Sequence, residues 1–296
     1  MRWLVTGAGG QLGADLLRVL ADADVLGATR AELDITDAAA VAAAVAGRDV
    51  VVNAAAYTDV DGAEADEAGA AAVNADGPAV LAAACAAAGA RLLHVSTDYV
   101  FAGDATTPYA EGAPVEPAGA YGRTKAAGER AVLASGAAAY VVRTAWVYGQ
   151  TGRNFVKTMV RLEQERETIE VVDDQRGSPT WSRQLAAALV ELAASGAPYG
   201  VYHCTNAGET TWCGLARAVF AELGADAARV RPTTTAAFPR PAPRPAYSVL
   251  SGQKWRAAGL TPLPGWREAL ATAFDTAGAA LSGAYAAGSR KTSANR

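Results

Sequence analysis

Arg2-Trp3-Leu4-Val5-Thr6-Gly7-Ala8-Gly9-Gly10-Gln11-Leu12-Gly13 is the stretch whose reading decides the fold. A short apolar run, too brief for a signal sequence, leads straight into glycines at 7, 10 and 13, and a helical pattern follows. Each glycine has its own physical use in that setting. Gly7 permits the tight turn out of the strand, Gly10 lets the backbone approach a pyrophosphate, and Gly13 allows helix and strand to pack closely. The amides of Gln11 and Leu12 then point from a helix N-terminus toward the phosphates. Glycines by themselves mark many ordinary turns. Between a predicted strand and a predicted helix, they read as a dinucleotide site.

Outward from this loop the first half of the chain keeps one rhythm. Strands are predicted at Arg2–Thr6, Asp24–Ala28, Asp49–Asn53, Arg91–Ser96 and Ala139–Arg143. Between them fall helices at Gln11–Leu20, Ala38–Ala46, Glu64–Asn74, Gly77–Ala88 and Tyr121–Ala134. Val50-Val51-Val52 and Val141-Val142 are the continuous apolar runs of strands buried on both faces. This alternation predicts an α/β fold built on a doubly wound, Rossmann-type parallel sheet.

Beyond about residue 145 the pattern loosens. Helices are predicted at Asn154–Arg166, Ser182–Ala194 and Thr211–Leu223, with a strand at Ile169–Val172. Pro239, Pro241, Pro243 and Pro245 make Phe238–Ala246 a loop. The organisation expected is a dinucleotide-binding domain over residues 1–150 that also receives part of 180–203. A smaller, irregular substrate-binding lobe covers 151–282, and a flexible tail covers 283–296.

Composition narrows the class of function. The 296 residues are 51% hydrophobic and 19% charged, enough apolar material for a core and too much for global disorder. Lys+Arg 26 against Asp+Glu 30 leaves a net charge of −4 with no basic run, which disfavours nucleic acid as a partner. Cys85, Cys204 and Cys213 are odd in number and widely spaced, so the expectation is a reducing cytoplasm without disulfides. His94 and His203, far apart, make a zinc site improbable, and no metal is expected. No alanine-rich run reaches the ~20 apolar residues of a membrane span.

Three further groups carry chemistry. At the end of the second strand, Ala28-Thr29-Arg30 holds no acid until Glu32. A carboxylate there would bind ribose hydroxyls and repel a 2′-phosphate, whereas Arg30 can fork onto one. NADPH is therefore favoured, with NADH left open as a second reductant. Asp34, beside Ile35, is placed near the adenine or as the N-cap of the next helix. Tyr121 and Lys125, four residues apart at the start of a helix, share one face, so the ammonium can lower the phenol's pKa. That combination suits a general acid delivering a proton to a carbonyl oxygen. Ser96-Thr97-Asp98 follows the fourth strand at the sheet's carboxyl edge, where a hydroxyl can hydrogen-bond the same carbonyl.

These groups combine with Asn53-Ala54-Ala55-Ala56-Tyr57-Thr58 and Ser96-Thr97-Asp98-Tyr99-Val100-Phe101 in one pattern. The pattern resembles the extended short-chain dehydrogenase/reductase superfamily. Arg143-Thr144-Ala145-Trp146-Val147-Tyr148-Gly149, Asn154-Phe155, Asp174-Gln175-x-Gly177-x-Pro179-Thr180 and Arg244-Pro245 narrow the resemblance. It runs over residues 1 to about 270, to the dTDP-4-dehydrorhamnose reductase family. The resemblance implies NADPH-dependent reduction of the C4 keto group of dTDP-4-dehydro-L-rhamnose to dTDP-L-rhamnose. Under it Thr97 orients the carbonyl, Tyr121 donates the proton, and Lys125 binds the nicotinamide ribose while tuning Tyr121. Asp98, Tyr99 and Trp146 line the sugar-nucleotide pocket, and Ala54, Ala55, Ala56 and Tyr57 pass beside the cofactor.

Two positions depart from the family pattern: Asp15 is shorter than the expected glutamate, and Arg183-Gln184 replaces an acidic pair of some relatives. A metal-bridged assembly is therefore not expected, although a homodimer is allowed. His94, His203, Trp212 and Cys213 are expected to be packed in the core. Three rivals remain: a reductase of another dTDP-4-ketohexose, an epimerase or dehydratase that retains NAD, and a non-catalytic regulatory subunit on the same fold.

Overall fold

The computed structural model describes residues 1–281, so the tail expected over 283–296 lies outside the described residues. From the N-terminus the chain forms β1 (Arg2–Thr6), α1 (Gln11–Val19), β2 (Asp24–Ala28), α2 (Ala38–Val45), β3 (Val50–Asn53), α3 (Val60–Ala65) and α4 (Glu67–Ala71). It continues with α5 (Gly77–Ala88), β4 (Arg91–Thr97), α6 (Ala120–Ala134), β5 (Ala139–Thr144), β6 (Val147–Tyr148), α7 (Phe155–Glu165), β7 (Ile169–Val172) and β8 (Arg176–Gly177). The remainder comprises β9 (Thr180–Trp181), α8 (Ser182–Ala194), β10 (Gly200–His203), β11 (Thr210–Thr211), α9 (Trp212–Glu222), β12 (Val230–Thr233), α10 (Gln253–Ala257) and α11 (Trp266–Leu281).

Six strands form the central sheet in the order β10-β5-β4-β3-β1-β2, every pairing parallel. The valines of β3 show why it sits at the centre. Val50 and Val52 enter the core on one face and Val51 the core on the other, as the two-residue period of a strand requires. Leu12 and Leu16 of α1 with Leu185, Leu189 and Leu192 of α8 cover the first face. Val41 and Val45 of α2 with Leu81 and Cys85 of α5 cover the second. Strand order changes direction at β1, with β2 on one side and β3, β4 and β5 on the other. The crevice at the carboxyl ends beside such a switch is where open α/β sheets bind ligands.

A separate core forms in the second half of the chain, where Val156 and Val160 of α7 meet Val219 and Phe220 of α9. The parallel pair β7–β12 and Leu270 of α11 complete it. Asp61 at the start of α3 pairs with both Arg240 and Arg244 and so fastens the proline-rich segment to the sheet domain.

Three expectations need correction. The helix expected over Glu64–Asn74 is instead α3 and α4, each capped by its own aspartate: Asp59 accepts from Gly62 N and Asp66 from Gly69 N. From Glu67 the chain then runs without interruption through a π-type turn, Ala72–Asp76, into α5. The resulting 22-residue run Glu67–Ala88 is long and apolar enough to cross a membrane by length and composition, contrary to expectation. In this fold Leu81, Ala82 and Cys85 spend that apolar character against the sheet. Finally, Asp37 caps α2, accepting from the Ala39 and Ala40 amides. Asp34 instead turns back on Thr36, whose amide and hydroxyl it accepts at 2.9 and 2.8 Å.

One buried ion pair ties the far side of the sheet together. Arg143 of β5 forks onto Glu129 of α6 at 2.9 and 2.6 Å, both side chains 3% exposed, and also donates to the Glu111 carbonyl. Removing one partner of such a pair strands a buried charge, at a cost of about 3–5 kcal/mol. Arg143→Met should therefore lower the urea midpoint sharply, and the double variant Arg143→Met/Glu129→Leu should recover part of the loss. A single variant with the wild-type midpoint would contradict this account.

Candidate active site

At the carboxyl ends of β1, β3 and β4 lies a cavity of about 1020 Å³, closed on its other side by residues of the lobe. Every residue singled out in the sequence for cofactor, substrate or proton lines it, except Gly13. Gly13 sits behind the loop, where its missing side chain matters: a Cβ there would stand 2.8 Å from Ala8 Cα. Gly7 turns the chain with φ +70°, and a Cβ on it would lie 2.6 Å from the Ala55 amide at the end of β3. Gly10 N donates to Gly7 O at 2.9 Å and closes the turn.

The residues present fit a dinucleotide. No side chain caps the N-terminus of α1 and no acid stands in its first turn, so its amides are free for an anion. Gln11 is held from the lobe side, donating to Val147 O at 3.2 Å and accepting from Asn154 Nδ2 at 2.7 Å. Arg30 is exposed at the rim and takes part in none of the ion pairs among the described residues. Glu32 folds back to accept from the Thr29 amide and hydroxyl at 2.8 and 2.7 Å.

Thr97 ends β4, and its Oγ1 accepts from Tyr99 N at 3.2 Å and donates to Asp98 Oδ1 at 3.0 Å. Tyr121 stands in the first turn of α6, its ring edge-on to Tyr99 at 5.6 Å. Burial pushes its phenol up to about 12, offset in part by the Thr97 hydroxyl and reinforced by Asp98. The sequence spacing predicts a phenol pKa lowered by Lys125; burial prevails instead. A raised pKa keeps the phenol protonated near neutral pH, the state a proton donor needs. Lys125, one turn further along α6, is buried and donates to Val95 O at 2.7 Å, and burial pulls its ammonium down to about 8.

The cavity floor carries polar atoms without partners. Ser96 Oγ, Asp98 Oδ2 and Thr144 Oγ1 are buried and make no hydrogen bond, though all three residues line the cavity. Buried polar atoms are normally paired, so this floor suits a ligand bearing carbonyl and hydroxyl groups. Burial raises the Asp98 carboxyl to about 6, against hydrogen bonds from Ser248 and Thr97. Beneath the floor, Asn53 bridges Thr6 and His94 at 2.7 and 3.1 Å, which makes His94 a packed residue as expected.

The lobe wall is aromatic. Trp146 has φ +47°, the one positive φ at a non-glycine position among the described residues. Left-handed backbone costs an ordinary L-residue roughly 1–2 kcal/mol. Trp212, expected in the core, is half-buried and lies parallel to Trp146 with ring centroids 3.5 Å apart, lining the cavity beside it. Trp212 and Arg153, which also lines the cavity, were missed as site residues; Cys213 is in the core as expected. Asp15 is buried in a local pair, accepting from Arg18 at 2.7 Å and from the Ser182 hydroxyl, while Gln184 accepts from Asn206 at 2.6 Å.

Comparison with known proteins agrees with this geometry. The dTDP-4-dehydrorhamnose reductase of Streptomyces griseus is 55% identical over 282 residues, covering 92% of this chain and 93% of its own. The probable dTDP-4,6-dihydroxy-2-methyloxan-3-one 4-ketoreductase of Streptomyces antibioticus is 53% identical over 284 residues, covering 93% of this chain and 95% of its own. A crystal structure of dTDP-4-dehydrorhamnose reductase from Bacillus anthracis in complex with NADP matches with a TM-score of 0.89 at 38% identity, over 93% of this chain and 98% of that one. The family model for the RmlD substrate binding domain matches residues 1–278. With nearly all its length inside that match, the chain belongs to the RmlD substrate binding domain family.

Proposed function

We propose that the protein reduces the C4 keto group of dTDP-4-dehydro-L-rhamnose with NADPH, giving dTDP-L-rhamnose. The observation that carries this reading is one continuous cavity holding the glycine loop, Thr97, Tyr121 and Lys125. The names of the S. griseus and B. anthracis relatives, and the NADP bound in the latter, support it. Reducing a carbonyl takes a hydride at carbon and a proton at oxygen. NADPH, held by the Gly7–Gly13 loop, supplies the hydride when bound. Thr97 Oγ1 turns its single proton from Asp98 to the sugar's C4 oxygen when the sugar binds, and the protonated Tyr121 phenol delivers its proton there as the alkoxide develops. Lys125 reaches the nicotinamide ribose, and its positive charge stabilises the phenolate left behind. Asp98 offers its unpartnered Oδ2 to a sugar hydroxyl.

The S. antibioticus relative, of similar identity, favours a second reading in which another dTDP-4-ketohexose is the substrate. Either way, we read the protein as a soluble cytoplasmic enzyme acting on a nucleotide sugar. Purified protein mixed with NADPH and dTDP-4-dehydro-L-rhamnose should consume reduced cofactor in proportion to sugar. An epimerase or dehydratase would recycle a tightly held NAD, and a regulatory subunit would consume nothing.

Tyr121→Phe keeps the ring and removes the acid, so turnover should fall by ~10²–10⁴. The Kd for NADPH should stay near wild type, and full turnover by a folded variant would refute the assignment. Lys125 should be seen through pH. Its ammonium is lost as pH rises through about 8, so NADPH affinity should weaken above that value in the wild type. In Lys125→Met the affinity should be weaker throughout and flat across the same range; a slope that survives the substitution would assign the titration elsewhere.

Arg30 governs the choice of cofactor. A charge-assisted bond to the 2′-phosphate is worth roughly 1.5–3 kcal/mol, or about ten- to a hundredfold, and screening at an exposed site favours the lower figure. Arg30→Ala should cost NADPH affinity by about that factor, spare NADH, and matter less at high salt. Equal loss for both cofactors would show that Arg30 does not read the phosphate.

A further inference from the structure

Trp146 and Trp212 have no part in the proton transfer, yet Trp146 carries the one positive φ among the non-glycine described residues. Its backbone is left-handed at φ +47°, where a large side chain is rarely found. Two neighbours hold the indole in place. Trp212 covers one face, rings 3.5 Å apart and 7° from parallel, and is itself backed by Phe155 at 4.6 Å. Gly177 of β8 packs so tightly that a Cβ on it would stand 2.6 Å from the indole Nε1. Trp212 in turn is fixed by the start of α9, where Thr211 caps the helix through the Gly214 amide and also bonds Asp173. The two rings come from segments far apart in the chain: Trp146 follows β5 of the sheet, and Trp212 opens α9.

We propose that Trp212 is a positioning residue for the sugar. By stacking on Trp146 it keeps that indole in its left-handed conformation, as the wall against which the apolar face of a 6-deoxy-4-ketohexose rests. The inference rests on the ketoreductase reading of the site and adds to it a positioning residue. Freed of its partner, Trp146 would relax toward ordinary backbone and swing its ring away from the C4 carbonyl's surroundings. Gln11 of the glycine loop bonds the Val147 carbonyl rather than either indole, so cofactor affinity is expected to hold when Trp212 alone is changed.

Trp212→Ala should raise the KM for the sugar nucleotide about three- to tenfold, the usual worth of an aromatic pair, with NADPH affinity unchanged. The circular-dichroism couplet of two stacked indoles should vanish with it. Trp212→Phe restores a stacking partner and should return KM to near wild type. Gly177→Ala disturbs the same indole from elsewhere without altering Trp212 and should raise KM alike, which keeps the inference testable if Trp212→Ala fails to fold. A wild-type KM in Trp212→Ala after loss of the couplet, a phenylalanine variant as defective as alanine, or a wild-type KM in Gly177→Ala would each overturn it. An inactive wild type that still shows the couplet would instead count against the ketoreductase reading.

Discussion

The site depends on one close approach of backbone to backbone. Gly7 passes so near the Ala54–Ala55 peptide at the end of β3 that no side chain fits between them, and Gly13 leans on the same turn from behind. That contact sets the N-terminus of α1 directly over the crevice where the strand order reverses. It leaves free amides facing a cavity whose far wall holds Thr97, Tyr121 and Lys125. A methyl group at Gly7 or Gly13 would lift the helix and separate the phosphate cradle from the proton donor. The energetic support is ordinary, a valine-rich sheet sealed by leucines of α1 and α8 on one face and by Val41, Val45, Leu81 and Cys85 on the other. What is specific is the geometry the glycines permit.

Burial does the electrostatic tuning that sequence spacing assigned to a neighbouring charge. Tyr121 and Lys125 share a helix face, and spacing alone predicts that the ammonium draws the phenol's pKa down. In the fold Lys125 is buried and Tyr121 half-buried, and desolvation moves each toward its neutral form, the phenol up and the ammonium down. For a reductase this is the useful direction for tyrosine, since the acid must hold its proton until the alkoxide forms. For lysine it makes the charge conditional on pH. The unpartnered oxygens of Ser96, Asp98 and Thr144 add a polar floor that no periodicity in the sequence could disclose.

Legibility followed the physics of each segment. β1 and β2 begin and end where their apolar runs meet charge or glycine, and α5 spans the residues its alanine pattern marks. The cavity residues were legible because glycine, tyrosine–lysine and threonine signals sit at strand ends, which the alternating topology gathers on one edge. Other features depend on partners distant in the chain. β6, β8, β9 and β11 are two residues each and exist only through pairing with remote segments, while Pro232 hides β12 within a polar stretch. Asp34 and Asp37 compete for one cap, and sequence alone does not say which reaches the helix. Trp212 reads as core because it opens an apolar helix, and only the fold reveals that its ring faces Trp146.

The central claim is that Tyr121 and a cofactor seated on the glycine loop act on the same carbon–oxygen bond. NADPH carrying deuterium at the transferring position of the nicotinamide C4 tests it most directly, with dTDP-4-dehydro-L-rhamnose as acceptor. One deuterium should appear at C4 of the sugar for each cofactor oxidised. Product without deuterium at C4, or sugar conversion without net oxidation of the cofactor, would contradict the account.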